Sequence, residues 1–468
     1  MLDTNNIPFA GLTDIAAGVK SGALSPVAVT ETMLARIAQI DPELNSYIAV
    51  TGEAALAQAR KAESEIRSGR YRGLLHGVPI AIKDLFYTAG TPATFGSGAY
   101  KNYLANYTAT VVERLEASGA VILGRLHLHE GAYGDHHPDF GIAPVHPWVK
   151  GYWPGGSSSG SGVATAAGLC FASLGSDTGG SIRFPTGSNG LTGMKPTWGR
   201  VSRHGVFSLS ETLDTVGPMA RSAADAAAMF DVIAGFDPND PTSLSAPVPD
   251  YFGSLAGVFG ARGMRIGVDW AYIGDDTDPE VSAGIREALA VFESLGATIV
   301  PFNMPAVEEC ARNQPIIMET ECASYHRDVF KADPSGFGVL LTAAIERGLS
   351  YDPIAVVRAY IERDKFKGEL LKVFAGVDAI VAPVMTKVGV RYDEFDSFLK
   401  NLPTALRFSA PFNMTGSPAL TFPVGMSKIG LPLAMQLIGP HLSEAALFRA
   451  AHAYQQATEW HLMRPSLN

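Results

Sequence analysis

Short apolar runs that stop at polar or glycine-rich sequence constrain this chain more than any other feature. Val78-Pro79-Ile80-Ala81-Ile82 runs into Lys83-Asp84, and Cys170 to Leu174 runs into Gly175-Ser176-Asp177-Thr178-Gly179-Gly180-Ser181. Val121 to Gly124, Met264 to Val268, Thr298 to Val300, and Val377 to Ala382 before Pro383 share the pattern. Such runs suit buried strands, and helical periodicity at about 109–118 and 279–295 separates them. Residues 264–300 therefore read as a βαβ unit, whose parallel strands need a crossover. The prediction is an α/β protein on one central, mostly parallel or mixed, twisted sheet covered by helices on both faces. In such folds chemistry gathers at strand ends, which singles out Lys83 and the stretch ending at Ser181.

The 468 residues do not by themselves fix the number of domains. Strand patterns continue past the midpoint and no repeat or linker interrupts them, so one large domain is the simplest reading. Residues 1–70 read as an N-terminal helical segment packed on the core. Ser25-Pro26 supplies an N-cap and a first-turn proline, Asp41-Pro42 ends that helix, and a third helix covers about 53–68. The remaining chain, 71–468, forms the α/β domain, with about 305–375 a helical cover over the site.

A charged fraction of 18% against 47% apolar residues excludes a disordered chain. The net charge of −10 and the lack of a Lys/Arg-rich run argue against nucleic acid as a partner and for a small, uncharged substrate. Three cysteines without CxxC spacing suggest neither a disulfide framework nor a cysteine zinc site, and point to the reducing cytoplasm. No basic and apolar leader opens the chain, and the longest weakly polar run, Val163 to Leu174, is too short to cross a bilayer.

The stretch Pro154-Gly155-Gly156-Ser157-Ser158-Ser159-Gly160-Ser161-Gly162 allows three readings. A flexible linker is disfavoured because apolar helix and strand follow at once. A nucleophile elbow on Gly156-x-Ser158-x-Gly160 needs a hydrophobic strand before it, where this chain has Tyr152-Trp153-Pro154-Gly155. The third reading pairs the stretch with Asp177-Thr178-Gly179-Gly180-Ser181-Ile182-Arg183, 24 residues from serine to serine, and with Lys83.

In that combination the chain resembles the amidase signature family. The likeness extends to Leu75–Asp84, Gly193–Ser202 and Pro411–Ala419, five ordered blocks in all. The resemblance implies Ser181 as nucleophile, Ser157 in a cis peptide linkage as proton relay, and Lys83 as the ultimate base. Ser158 is implied to support the Lys–Ser hydrogen bonds, and Asp177 and Arg183 to hold the nucleophile loop. The same resemblance implies a cofactor-free, metal-free hydrolase and a homodimer.

Amide cleavage needs an activated nucleophile, a proton for the departing amine and donors for the oxyanion. Lys83 can act as a base only if burial lowers its pKa by several units. Backbone N–H groups of Thr178, Gly179, Gly180 and Ser181 are expected to face the developing oxyanion. Phe86, Tyr133, Gly134, His136, His137, Trp153 and Phe184 are expected to contact the substrate, with Phe140 and Phe207 further aromatic candidates. His127-x-His129-Glu130 with His136-His137 has the composition of a metal site, but HExxH is not formed.

The activity expected is hydrolysis of a small uncharged amide, aryl or aliphatic, with carbamates (urethanase activity) and esters compatible with the same machinery. The rival readings are the glutaminase component of a glutamine-dependent tRNA amidotransferase and a catalytically inactive binding module.

Overall fold

The computed structural model describes residues 4–257 and 260–467. Its strands are β1 (Tyr47–Val50), β2 (Pro79–Lys83), β3 (Val121–Leu126), β4 (Ala172–Asp177), β5 (Thr192–Lys195), β6 (Thr215–Ala220), β7 (Arg265–Val268), β8 (Thr298–Pro301), β9 (Ala379–Pro383), β10 (Ala419–Met426) and β11 (Pro432–Ile438). They form one sheet in the order β1-β3-β2-β4-β6-β5-β10-β11-β9-β7-β8. The chain is a single-domain α/β fold with helices flanking this sheet.

The sheet is mixed. Parallel pairs β3–β2–β4 and β9–β7–β8 lie to either side of an antiparallel centre made of β6, β5, β10 and β11. That centre is hidden in the sequence because β6 and β10 contain Pro218 and Pro423, and proline ordinarily argues against an inner strand. A break in register after Pro423 accommodates the second of them.

The strand expected over 170–174 begins at Ala172 and runs on to Asp177. Its antiparallel pairing with β6, from Ala172 opposite Ala220 to Asp177 opposite Thr215, carries Gly175 and Ser176 into the sheet. The second serine loop therefore starts at a strand end.

Near the N-terminus Ser25 caps Pro26–Leu44 by accepting the Ala28 N–H at 3.1 Å. The helix passes through Pro42 and does not stop at Asp41. It ends at Asn45 in the left-handed region, where the buried Asp41 carboxylate accepts the Ser46 and Tyr47 N–H groups at 2.9 and 3.1 Å. The first 70 residues also contribute the edge strand β1, paired with β3.

Three helices, Val307–Ala332, Val339–Ser350 and Pro353–Phe374, fill most of 305–375. No helix among the described residues is long and apolar enough to cross a membrane. Cys170, Cys310 and Cys322 are buried and unpaired.

Candidate active site

β2 is buried along its whole length and presents Lys83 as its last residue, with no exposed side-chain surface. The Lys83 Nζ donates to Ser157 Oγ at 2.7 Å, Ser176 Oγ at 2.9 Å and Ser158 Oγ at 3.0 Å. Ser176 comes from β4, the parallel neighbour of β2, and Ser158 precedes the helix Ser159–Ala166. Burial pushes the amine down from its ordinary 10.5 to about 7, against the opposing pull of Asp214 and Asp177. Three hydroxyls suit the group in both states, since an ammonium donates three bonds while a neutral amine donates two and accepts one. Ser158 Oγ also bonds the Ser176 carbonyl at 3.1 Å, fixing the two loops to each other.

The loop after β4 folds around one carboxylate. Asp177 accepts the N–H groups of Gly180 at 2.8 Å, Ile182 at 3.0 Å and Arg183 at 3.3 Å. The Arg183 guanidinium meets the same carboxylate through Nε at 3.0 Å and Nη2 at 2.8 Å, with both side chains wholly buried. Burial alone would raise the Asp177 pKa, but the charge and hydrogen bonds of Arg183, with Lys195 and Asn413, hold it well below the carboxylate range. Asn413 bridges the pair, donating to Asp177 Oδ1 at 2.8 Å and accepting from Arg183 Nη2 at 2.6 Å.

Ser181 follows Gly180, whose φ of +130° places it where a Cβ would lie 2.5 Å from the Phe184 ring. Only glycine fits there. Ser181 Oγ accepts the backbone N–H of Ser157 at 3.0 Å.

Two expectations are corrected here. The Gly180 N–H is bound to Asp177 and is not available to an oxyanion; those of Gly179 and Ser181 make no hydrogen bond to the described residues. All peptide bonds among the described residues are trans, including that at Ser157, the favoured form for a non-proline linkage. In this geometry the backbone N–H of Ser157, rather than its hydroxyl, meets Ser181.

A cavity of about 500 Å³ opens over Ser157, Thr178, Gly179 and Ser181. Tyr133, Gly134, Trp153 and Phe184 line it, together with Leu209, Met318 and Leu340. Trp153 packs against Phe184, Phe395 and Phe398 with ring centroids 6.0, 5.4 and 5.2 Å apart. Phe395 and Phe398 belong to the short helix Phe395–Lys400, which also lines the cavity.

Phe86, His136 and His137 do not line it. Phe86 is wholly buried in the core, where its carbonyl accepts Arg125 Nη2 at 2.7 Å. The His136 ring is hydrogen-bonded to Ser159 Oγ at 3.0 Å, and His137 Nδ1 accepts the Asp139 N–H at 3.1 Å, starting the turn Pro138–Phe140. Phe207 stacks on Phe95 in the core, and neither it nor Phe140 reaches the cavity.

The sequence matches the family described as Amidase over residues 28–448. The chain belongs to the amidase family. It is 42% identical over 472 residues to the Mycobacterium tuberculosis protein named "Putative amidase AmiD", covering 99% of this chain and 97% of that protein. It is 39% identical over 472 residues to the A component of the glutamyl-tRNA(Gln) amidotransferase from an Anaeromyxobacter species, covering 95% of this chain and 96% of that protein. The crystal structure of the native peptide amidase from Stenotrophomonas maltophilia superposes with a TM-score of 0.84 at 30% identity, covering 99% of this chain and 100% of that one.

Several residues of this amidase site have roles that no local sequence pattern reveals. Ser176 reads as part of a glycine-rich stretch, and Asn413 lies 236 residues from Asp177. Asp214, raised by burial to about 6, accepts the Thr178 hydroxyl at 2.5 Å. His129 faces the cavity where His136 was expected, its backbone N–H bonded to the Ser157 carbonyl at 3.3 Å. Burial, His136 and Lys83 hold the His129 imidazole well below its ordinary pKa. Its ring is 4.6 Å from that of His136, yet no group of three His, Cys, Asp or Glu among the described residues is arranged to hold a metal ion.

Proposed function

We propose that this amidase-family protein hydrolyses the C–N bond of a small, uncharged amide through an acyl-enzyme formed on Ser181. The observation that carries the reading is the wholly buried Lys83 amine, pushed to about 7 and bonded to Ser157, whose N–H in turn engages Ser181.

With Lys83 neutral, Ser157 gives its proton to Lys83 as it takes one from Ser181, and Ser181 Oγ attacks the carbonyl carbon. From the unliganded arrangement this requires a side-chain rotation that turns the two hydroxyls towards each other, a tightening usual on substrate binding. The N–H groups of Gly179 and Ser181 are the donors for the oxyanion. The proton returns through Ser157 to the departing nitrogen as the C–N bond breaks. Water, deprotonated along the same path, then releases the acid. Trp153, Phe184, Leu209 and Met318 in the cavity walls favour an apolar acyl or aryl group, and carbamates and esters enter the same steps with a different leaving group.

Hydrolysis of a panel of anilides, primary amides, carbamates, esters and glutamine, with and without chelator, tests the reading. Chelator-resistant release of amine from an uncharged amide, abolished by Ser181→Ala in a folded protein, is the expected result. An unchanged rate in Ser181→Ala would overturn it. Turnover of glutamine alone would favour the tRNA amidotransferase reading, which the 39% identical relative supports.

A further inference from the structure

The cavity has an ion pair in its lining as well as apolar side chains. Arg347, on the helix Val339–Ser350, and Glu319, on the helix Val307–Ala332, line it together. The Glu319 side chain is 4% exposed and that of Arg347 49%. Arg347 Nε bonds both Glu319 oxygens at 3.1 Å, while Nη2 bonds Glu319 Oε1 at 2.6 Å and the Tyr133 hydroxyl at 3.0 Å. The Tyr133 and Tyr351 hydroxyls donate to Glu319 at 2.9 and 2.7 Å. Glu319 is thus saturated and the guanidinium is held by one edge. Its Nη1 makes no hydrogen bond to the described residues.

We propose that Arg347 is a second recognition point, and that the preferred amides carry a neutral hydrogen-bond acceptor, typically a carbonyl oxygen, away from the scissile bond. This inference rests on the amidase reading above. A guanidinium fixed along one edge offers its free Nη1 donors without losing further side-chain freedom, which favours a ligand acceptor placed to meet them. Glu319 already balances its charge, and the cavity lining carries one further acid and one further base, Asp396 and Lys400. A carboxylate would therefore surrender its hydration while facing Glu319, whereas a ketone or amide oxygen surrenders little. Leu340 and Met318 supply apolar lining in the same cavity.

The test uses the Ser181→Ala protein, which binds without turnover, and titration calorimetry. Heptanamide is compared with 6-oxoheptanamide, their homologues one carbon shorter and longer, and the anion of adipic monoamide. The expected result is that at least one keto amide binds about tenfold more tightly than its parent, the scale of one hydrogen bond to a charged donor. The anion should bind no better than the parent.

Adding Arg347→Met should remove the preference, so that each keto amide binds no more tightly than its parent amide in the same protein. The variant carrying both Arg347→Met and Glu319→Gln should do the same without leaving a buried charge unpaired. Equal binding of keto and parent amides at every length, or a preference that survives in the doubly substituted protein, would overturn the proposal. If the unaltered protein turns over heptanamide while no keto preference exists, only this inference fails. If no amide is bound or hydrolysed, the amidase reading fails and this inference falls with it.

Discussion

Replacing Lys83 by methionine removes a buried amine while keeping an unbranched chain of similar length, and the structure fixes how the result must depend on pH. Lys83 has a folded-state pKa of about 7 against an ordinary value of 10.5. Below about 7 the lysine is protonated in both folded and unfolded chains, and above about 10.5 it is neutral in both. Between those limits the unfolded chain binds more protons, so the stability of the unaltered protein relative to Lys83→Met rises with pH. The full rise is about 5 kcal/mol, and the window from pH 7.5 to 9 alone spans about 2 kcal/mol. Lost hydrogen bonds to Ser157, Ser158 and Ser176 shift the whole difference by a constant and leave its slope untouched. Urea unfolding of both proteins at half-unit steps from pH 7 to 9.5 reads the slope directly. A difference that stays flat would mean Lys83 is equally protonated in folded and unfolded chains, and the neutral-base mechanism would be lost with it. In the active protein the same ionisation should appear as a rising limb of kcat/KM near pH 7, reaching a plateau on the alkaline side.

Asp177→Asn leaves the Arg183 guanidinium buried without its charge partner, and should cost about 3–5 kcal/mol by urea unfolding; a loss below about 1 kcal/mol would refute the account of the loop. Gly180→Ala forces a Cβ against the Phe184 ring at an unfavourable φ. It should lower kcat by roughly a hundredfold or more with the protein folded, because a displacement of about 1 Å at the nucleophile is enough; near-normal kcat would show that the loop adapts. Trp153→Ala opens the cavity wall beside Phe184 and Phe395. It should raise KM about tenfold or more for bulky apolar amides and little for acetamide, and steady-state kinetics with equal losses for both would refute a wall role.

Much of the fold and of the reacting centre could be read in the chain, for local reasons. Strand β2 is an apolar run that ends on a charge, and the two serine loops follow from glycine and serine at positions that need close approach or a positive φ. The βαβ unit at 265–301 was equally legible, because crossover and strands lie within one short stretch. The antiparallel centre was not, since its prolines obscure the strand pattern and its pairings join residues about 220 positions apart, such as Lys195 and Ala419.

The histidines show the limit at the site. Sequence proximity suggested His136 and His137, but the backbone turns their rings to Ser159 and to the 138–140 turn and leaves His129 at the cavity. Aromatic character likewise could not separate Trp153 and Phe184, which line the cavity, from Phe86, which fills the core.

The sequence alone determined which residues stand at strand ends and in tight loops, because periodicity, turn chemistry and glycine act over a few neighbouring positions. Tertiary structure alone decided that Lys83 would meet three hydroxyls in a dry interior, that Asn413 would bridge Asp177 and Arg183, and that Arg347 would face the cavity. Those contacts depend on the order of strands in the sheet and on exclusion of water, which no local stretch of sequence encodes.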